Sequence, residues 1–478
     1  MRRVWYRRDQ AVVVEALRQG VRPDMATTMS SGPLDELVAL HEQLGVFDNL
    51  ESVTVSRQRR GLDDGLLLNT LAVLPFLETP SLQSAAGQVF GEPSILLRLG
   101  WSPVQIAWGD NFRHRQVGPL RQAESVPCHP DSLRDELRRI DAAAWDTVQR
   151  QFTRTLFQRG LIRGRVFAID GTGLGDGFRL VCLVCVSGER PLIVAWRLLE
   201  GAASEKGKEA SVTRSLIEQS VAAAGGPCID LLLVDALYAD GPLLAWLKYQ
   251  QRIDVLVPIP GDRNLHADLV GLAEPGLLKL KRHSYVCRIQ GHKRRRTLEM
   301  GCRDGLTSWE SFVQTAEGYG AVEPCLWGCL IRETEPDAEG QKACWTLVST
   351  RAWADGPTAY QAFRPRWHIE NDAYRELKEG WQLEMQRWGR DVATQRGRVT
   401  LTCLAFNTAQ VYLSRSGKHL AARGIRRLRR QFTQQLGHSP VVIYIDQNYA
   451  VLPVEELLQA VGQPAHETLR PLNTVRPP

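Results

Sequence analysis

No stretch of this 478-residue chain is long and apolar enough to span a membrane; the best run, LLLNTLAVLPFL, is broken by Asn69 and Pro75. The Arg-rich opening, MRRVWYRRDQAVVVEAL, lacks a signal-like apolar core, because Glu15 interrupts its only apolar run. The ten cysteines lack the spacing of a small disulfide scaffold or a zinc ribbon. Cys182 and Cys185 form a CxxC inside LVCLVCV, and Cys325 and Cys329 flank LWG, but neither pair has a second pair at ligand spacing. They read as buried thiols, and reduced thiols fit the expected cytoplasmic location. Internal repeats and low-complexity tracts are also lacking. A formal net charge of +6 is too small to identify a polyanionic partner by itself.

What is present is an ordinary globular composition, 44% hydrophobic and 23% charged, at a length that implies about two to four domains. The positive charge is clustered. Lys279 to Arg296 contains eight Lys or Arg and no acid, and Ser414 to Arg430 contains seven and no acid. Such blocks suit a phosphate backbone, or else form solvated faces. Residues 1–158 carry helical periodicity, in PLDELVALHEQLGVFDNL and again in DSLRDELRRIDAAAWDTVQRQFTRTLFQRG, with Asp131 and Ser132 as candidate N-caps. Between them, Trp101, Trp108, Phe112, Arg113, His114 and Arg115 either read DNA or pack helices together. From Gly164 the pattern becomes β-β-β-α-β-α-β, a mixed α/β sheet. Residues 261–355 then read as an inserted β-rich subdomain, and RPRWHIENDAYRELKEGWQLE as a helix beginning just after Pro365. The expected divisions are a helical DNA-binding domain at 1–158, core at 159–260, β-rich insertion at 261–355, the last core helices at 356–415, and a basic C-terminal region, frayed at its end, at 416–478.

The sharpest chemical signal is a pair of acids at strand ends. Asp170 follows VFAI and Asp235 follows LLLV, each strand apolar enough to be buried. A buried carboxylate is costly unless it is paired or metal-bound, and hard divalent ions take oxygen ligands. Either acid alone could instead cap a turn. On the late helix Arg366 and Glu370 stand one turn apart on one face, which sets a phosphate-binding fork beside a carboxylate, or else makes an ordinary surface ion pair. The run GTGLGDG after Asp170 lacks the Lys-Ser/Thr of a phosphate loop and the dinucleotide spacing.

Three segments, FAIDGTGL, LLLVDALYADGPLLAWLKYQQRIDVLVPIP and YQAFRPRWHIENDAYRELK, resemble the DDE transposases of bacterial insertion sequences, over residues 165–412. The resemblance implies an RNase H-like core, a β-rich insertion before the last acid, and Asp170, Asp235 and Glu370 as catalytic metal ligands for Mg²⁺, with Mn²⁺ as a substitute. It implies transposon-end and target DNA as partners, a homodimer in the synaptic complex, and strand cleavage followed by strand transfer. In the family signature Y-x2-R-x3-E-x6-K, Arg366 and Glu370 fit. Phe363 stands for the Tyr and Leu377 for the Lys, with Lys378 one residue later. A competing frame runs from Arg375 to Glu379, and Glu376 is a further candidate acid. Arg366, Lys378 and the run Lys293, Arg294, Arg295 and Arg296 are the expected DNA contacts. Trp309, Trp327 and Trp345 are candidates for base stacking or for core. Two alternatives stay open: a nuclease of the same fold that does not join strands, and a domesticated DNA-binding protein without activity.

Overall fold

The computed structural model describes residues 7–28, 34–55, 62–77, 81–83, 89–90, 93–108, 127–175, 177–205, 208–289, 292–334, 343–385, 388–420, 425–426 and 440–462. The chain is a mixed α/β protein of two compact units, one formed by Met1–Thr155 with Glu376–Pro478 and the other by Leu156–Arg375.

The first unit opens with two short strands, β1 (Arg7–Arg8) and β2 (Met25–Thr28). Between them lies a helix, Gln10–Arg18, whose N-cap Asp9 accepts from Val12 N at 3.2 Å. Helices follow at Asp35–Gln43, Val46–Glu51 and Asp64–Val73. The last of these is buried on every side from Gly65 to Val73, Asn69 and Thr70 included, which matches its largely apolar sequence. The long helical reading around residue 140 divides into Pro130–Arg138 and Ala142–Gln158. Its cap is neither Asp131 nor Ser132 but His129, whose Nδ1 accepts from Asp131 N at 3.2 Å, with Pro130 at the first helical position.

The second unit is built on one sheet of nine strands. β3 (Val166–Gly175), β4 (Phe178–Cys185) and β5 (Leu192–Glu200) form an antiparallel meander. After the helix Ala210–Ala224 come β6 (Leu231–Leu233) and β7 (Asp254–Ile259), which run parallel to β3 in the order β3-β6-β7. Near-continuous burial along β4, β6 and β7 is what a sheet covered on both faces requires. β8 (Lys281–Ile289), β9 (His292–Leu306), β10 (Leu326–Glu333) and β11 (Cys344–Ser349) complete the order β5-β4-β3-β6-β7-β11-β10-β9-β8. The four strands between residues 261 and 355 therefore extend the same sheet, through β11 pairing with β7 from Thr346↔Ile259 to Ser349↔Leu256. The β-rich segment read from the sequence as an insertion thus continues the core sheet, with β11 meeting backbone donors and acceptors along β7.

The chain then returns to the first unit, with the helix Val392–Leu420 and a hairpin of β12 (Val441–Ile445) and β13 (Asn448–Leu452). The hairpin joins β1 and β2 in a second sheet, ordered β1-β13-β12-β2. The sequence alone suggests only basic and frayed chain here. The two loop residues, Asp446 and Gln447, both have positive φ, 43° and 63°, the geometry of a type I′ turn. Of the mixed aromatic and basic cluster, Trp101 is fully buried, donates to Thr70 Oγ1 at 3.0 Å and packs edge-on to Phe90. It serves the packing alternative. Phe112 to Arg115, and most of the basic run after Leu420, lie outside the described residues.

His41 lies fully buried in this unit, edge-on to Phe47 and Phe76. Thr408 donates its hydroxyl hydrogen to Leu404 O, so it accepts from His41 Nδ1 at 2.7 Å. The ring's other nitrogen, Nε2, has no partner and must stay unprotonated. Burial pushes the His41 pKa down from its ordinary 6.5 to about 3. Between those values the unfolded chain binds a proton that the folded chain refuses. Stability should therefore fall as pH drops from 6.5 toward 3, by up to about 1.4 kcal/mol per pH unit from this group. Denaturant unfolding of the wild type and of His41→Phe across that range should show a flatter pH dependence in the variant; equal slopes would refute the assignment.

Candidate active site

All the decisive side chains lie in the second unit. In the β3–β6 register Ala168 faces Leu233, and two residues further along each strand come Asp170 and Asp235. The two acids thus stand at neighbouring positions just past the last parallel pair; Asp235 follows the end of β6 as expected, whereas Asp170 lies inside β3, which runs on to Gly175 against β4. Asp235 Oδ1 accepts from Ala236 N at 2.7 Å and caps the 3-10 turn Ala236–Tyr238, whereas Asp170 Oδ1 accepts from Gly171 N, also at 2.7 Å, within β3. The capping alternative therefore holds for Asp235. GTGLGDG forms no phosphate loop: Gly171 to Gly175 continue β3, paired with β4.

The third side comes from the end of the unit. A helix at Gly356–Phe363 starts ten residues before Arg366, capped by Asp355, which accepts from Thr358 N at 2.8 Å. The expected start just after Pro365 is corrected. Pro357 occupies the first-turn position, and Pro365 sits in a 3-10 turn, Arg364–Arg366, that carries the helical run onward. Gly356 has no space for a side chain: a Cβ there would stand 2.8 Å from Cys329 Sγ and 3.1 Å from Cys302 Sγ. The helix start is therefore pressed onto β9 and β10.

Arg366 is only 5% exposed. Its Nη1 donates to Glu370 Oε1 at 2.8 Å and lies 3.6 Å from Asp170 Oδ2. Its guanidinium lies 4.6 Å from the Trp367 ring centroid, and its Nε has no acceptor. One buried cation thus joins two of the three predicted acids. Burial raises the Asp170 carboxyl to about 6; Gly171 N–H and Arg366 oppose that shift, and the Glu370 and Asp235 charges add to it. A single guanidinium does not offset three carboxylates in a poorly solvated site.

Further groups that sequence reasoning missed complete the surroundings. Tyr374 Oη donates to Asp170 O and accepts from Cys182 N, tying the late helical segment to β3 and β4. Tyr238, three residues after Asp235, is buried and its hydroxyl has no partner; burial and the charges of Asp170, Glu209 and Asp235 hold that hydroxyl well above its ordinary range. Glu209 is buried, pairs with Arg179 at 2.8 Å and packs on Gly171. The spacing of Tyr374, four residues past Glu370, is the one available signal. Glu209 comes from a distant element and has none.

The remaining expected residues lie elsewhere. Glu376 belongs to the first unit, where it accepts from Gln410 Nε2 and Ile425 N; Glu379 is exposed. Lys378 also belongs to the first unit and pairs with Glu384 at 2.6 Å. Trp367 is 50% exposed, whereas Ile369, two residues on, is fully buried. Lys293, Arg294, Arg295 and Arg296 lie on β9, which stands five places along the sheet from β3, or about 24 Å away. Arg295 is exposed and Arg296 pairs with Glu333 at 3.2 Å; the side chains of Lys293 and Arg294 lie outside those described. Trp327 is core, and Trp345 packs near Tyr360.

Among the described residues no three His, Cys, Asp or Glu side chains converge closely enough to hold a metal unaided. The donors nevertheless suit a hard ion. They are carboxylate oxygens, one of them buried at a cost its neighbours do not offset, and Mg²⁺ keeps water and needs only one or two carboxylates. The sequence matches no protein-family model, and no curated protein is significantly similar to it.

The packing around Asp170 is testable without any assay of function. A Cβ at Gly171 would stand 2.4 Å from Glu209 Cγ, whereas at Gly173 it would meet nothing within 4 Å. Gly171→Ala should lower stability by about 1–3 kcal/mol, and Gly173→Ala should be near neutral, in parallel denaturation curves. Equal effects would remove Glu209 from the support of this strand.

Proposed function

We propose that this chain is a DDE-type transposase with an RNase H-like core, acting on DNA phosphodiesters with Mg²⁺ or Mn²⁺. The observation that carries the reading is the junction of Arg366 with Asp170 and Glu370, with Asp235 on the neighbouring parallel strand. The antiparallel meander leading into parallel strands supports the fold part of the reading.

Asp170, Asp235 and Glu370 are the residues that hold the divalent ion. When bound, the ion supplies Lewis-acid polarisation and neutralises charge on a phosphoryl group. Arg366, with its unsatisfied Nε, orients a phosphate oxygen. The resulting reaction is hydrolysis of one strand at the element's end, then attack of the freed 3′-hydroxyl on target DNA. The helical chain of residues 1–158 recognises the end sequence, acting with the C-terminal hairpin that shares its sheet. Lys378 serves DNA from the first unit. The working form is a homodimer on two ends, in the cytoplasm.

Asp170→Asn, Asp235→Asn and Glu370→Gln should each abolish nicking of end DNA, while gel-shift affinity persists; EDTA should do the same to the wild type. Cleavage near the wild-type rate in any one variant would remove that residue from the triad, and full activity in EDTA would refute the chemistry. Glu376→Gln should lose stability instead, because Glu376 accepts two internal hydrogen bonds. A strand-transfer assay separates the transposase from a nuclease of the same fold.

The basic run on β9 should contribute affinity that is sensitive to salt and indifferent to sequence. Neutralising Lys293, Arg294 and Arg295 should lower the slope of log affinity against log salt by up to about one unit for each phosphate that the variant no longer neutralises. Arg296→Gln alone should change it less, since Arg296 already pairs with Glu333. An unchanged slope in the triple variant would put this run away from DNA.

A further inference from the structure

A second buried arginine, in the first unit, has no acid beside it among the described residues. Arg398 lies on the helix Val392–Leu420 and is 5% exposed. Its Nη2 donates to the backbone oxygen of Gln382 at 2.5 Å, and its Nη1 has no acceptor. Burial alone pulls its pKa down, to about 10, so the guanidinium is still charged at neutral pH. An unpaired cation removed from water is among the costliest things a fold can hold.

Arg398 borders a cavity of about 20 Å³, partly open to solvent, which Gln382, Thr402, Trp388 and Leu74 also line and Met385, 45% exposed, flanks. No Asp or Glu is among its described lining residues. That volume accommodates one water-sized body. Gln382 is held at φ 54°, a conformation uncommon for a residue with a side chain, and its buried Oε1 has no donor. A half-turn of that amide exchanges the orphaned acceptor for an N–H₂ donor directed into the same place.

We propose that the cavity beside Arg398 is a binding site for one small inorganic anion of halide size, held by the Arg398 guanidinium and the Gln382 amide. An anion would balance the charge, which no carboxylate among the described lining residues does, and the volume limits the anion's size. Nothing in this assignment depends on the reaction carried out by the other unit.

The test is thermal unfolding of the full chain at about pH 7.5 and fixed ionic strength, with chloride or bromide replacing the bulky gluconate anion. The wild type should gain about 2–4 °C, saturating with halide concentration, and Arg398→Met should not respond. An equal midpoint in halide and gluconate, or an equal halide response in Arg398→Met, would overturn the proposal. Should Arg398→Met fail to fold, crystals of the wild type grown in bromide decide the matter. An anomalous bromine peak in contact with Arg398 supports the site, and an ordered water there, or an empty cavity, overturns it.

Discussion

The second unit depends on the buried positive charge of Arg366. That side chain reaches back from near the unit's C-terminal end to Asp170 on its first strand, and to Glu370 one turn along its own segment. Taking a guanidinium out of water costs several kcal/mol unless acids and hydrogen bonds compensate. The surrounding residues make those contacts obligatory. Gly356 sits without spare space on β9 and β10, which fixes where the helical run begins; Pro365 turns it; Tyr374 bonds to the backbone of Asp170 and Cys182. The same contacts that compensate the buried arginine also hold Asp170 and Glu370 near one another.

That arrangement leaves a deficit of positive charge. Asp170 is raised to about 6 because burial outweighs what Arg366 and Gly171 N–H return to it. A fold under selection for stability alone would replace such a carboxylate with an apolar residue of similar size. Its presence beside Asp235 and Glu370 is what the proposed metal-dependent site calls for, since a further cation would complete the charge balance.

How much of this is legible in the sequence depends on whether the determining contact is local. Asp170 and Asp235 stand out because VFAI and LLLV are too apolar to be exposed and each ends on an acid. Arg366 and Glu370 stand out because four residues make one helical turn. The choice of Glu370 over Glu376 rests on the residues around each, and the internal hydrogen bonds of Glu376 give that second acid a structural role within the other unit. Glu209 and Tyr238 escape notice because their approach to Asp170 is set by packing between elements. The β12–β13 hairpin is hidden for two reasons. Its turn is Asp446–Gln447 where Asn-Gly is the strong signal, and its partners β1 and β2 lie at the far end of the chain. The start of the late helix is misplaced because Pro357 and Pro365 both satisfy the first-turn preference, and only the Asp355 cap distinguishes them.

Arg366 and Arg398 show why burial by itself does not define a site. Each is 5% exposed, and each carries a nitrogen without an acceptor. Arg366 is met by two carboxylates, whereas Arg398 is met by a backbone oxygen. For the first, the excess charge in the site is negative and calls for a cation. For the second it is positive and calls for an anion. The two pKa displacements carry the same message with opposite sign, an acid pushed up and a base pulled down, because in both cases burial disfavours the charged form more than the neighbours support it. The sign of the uncompensated charge, read together with the room left beside it, is what leads to the two proposals, a divalent cation in the second unit and a small anion in the first.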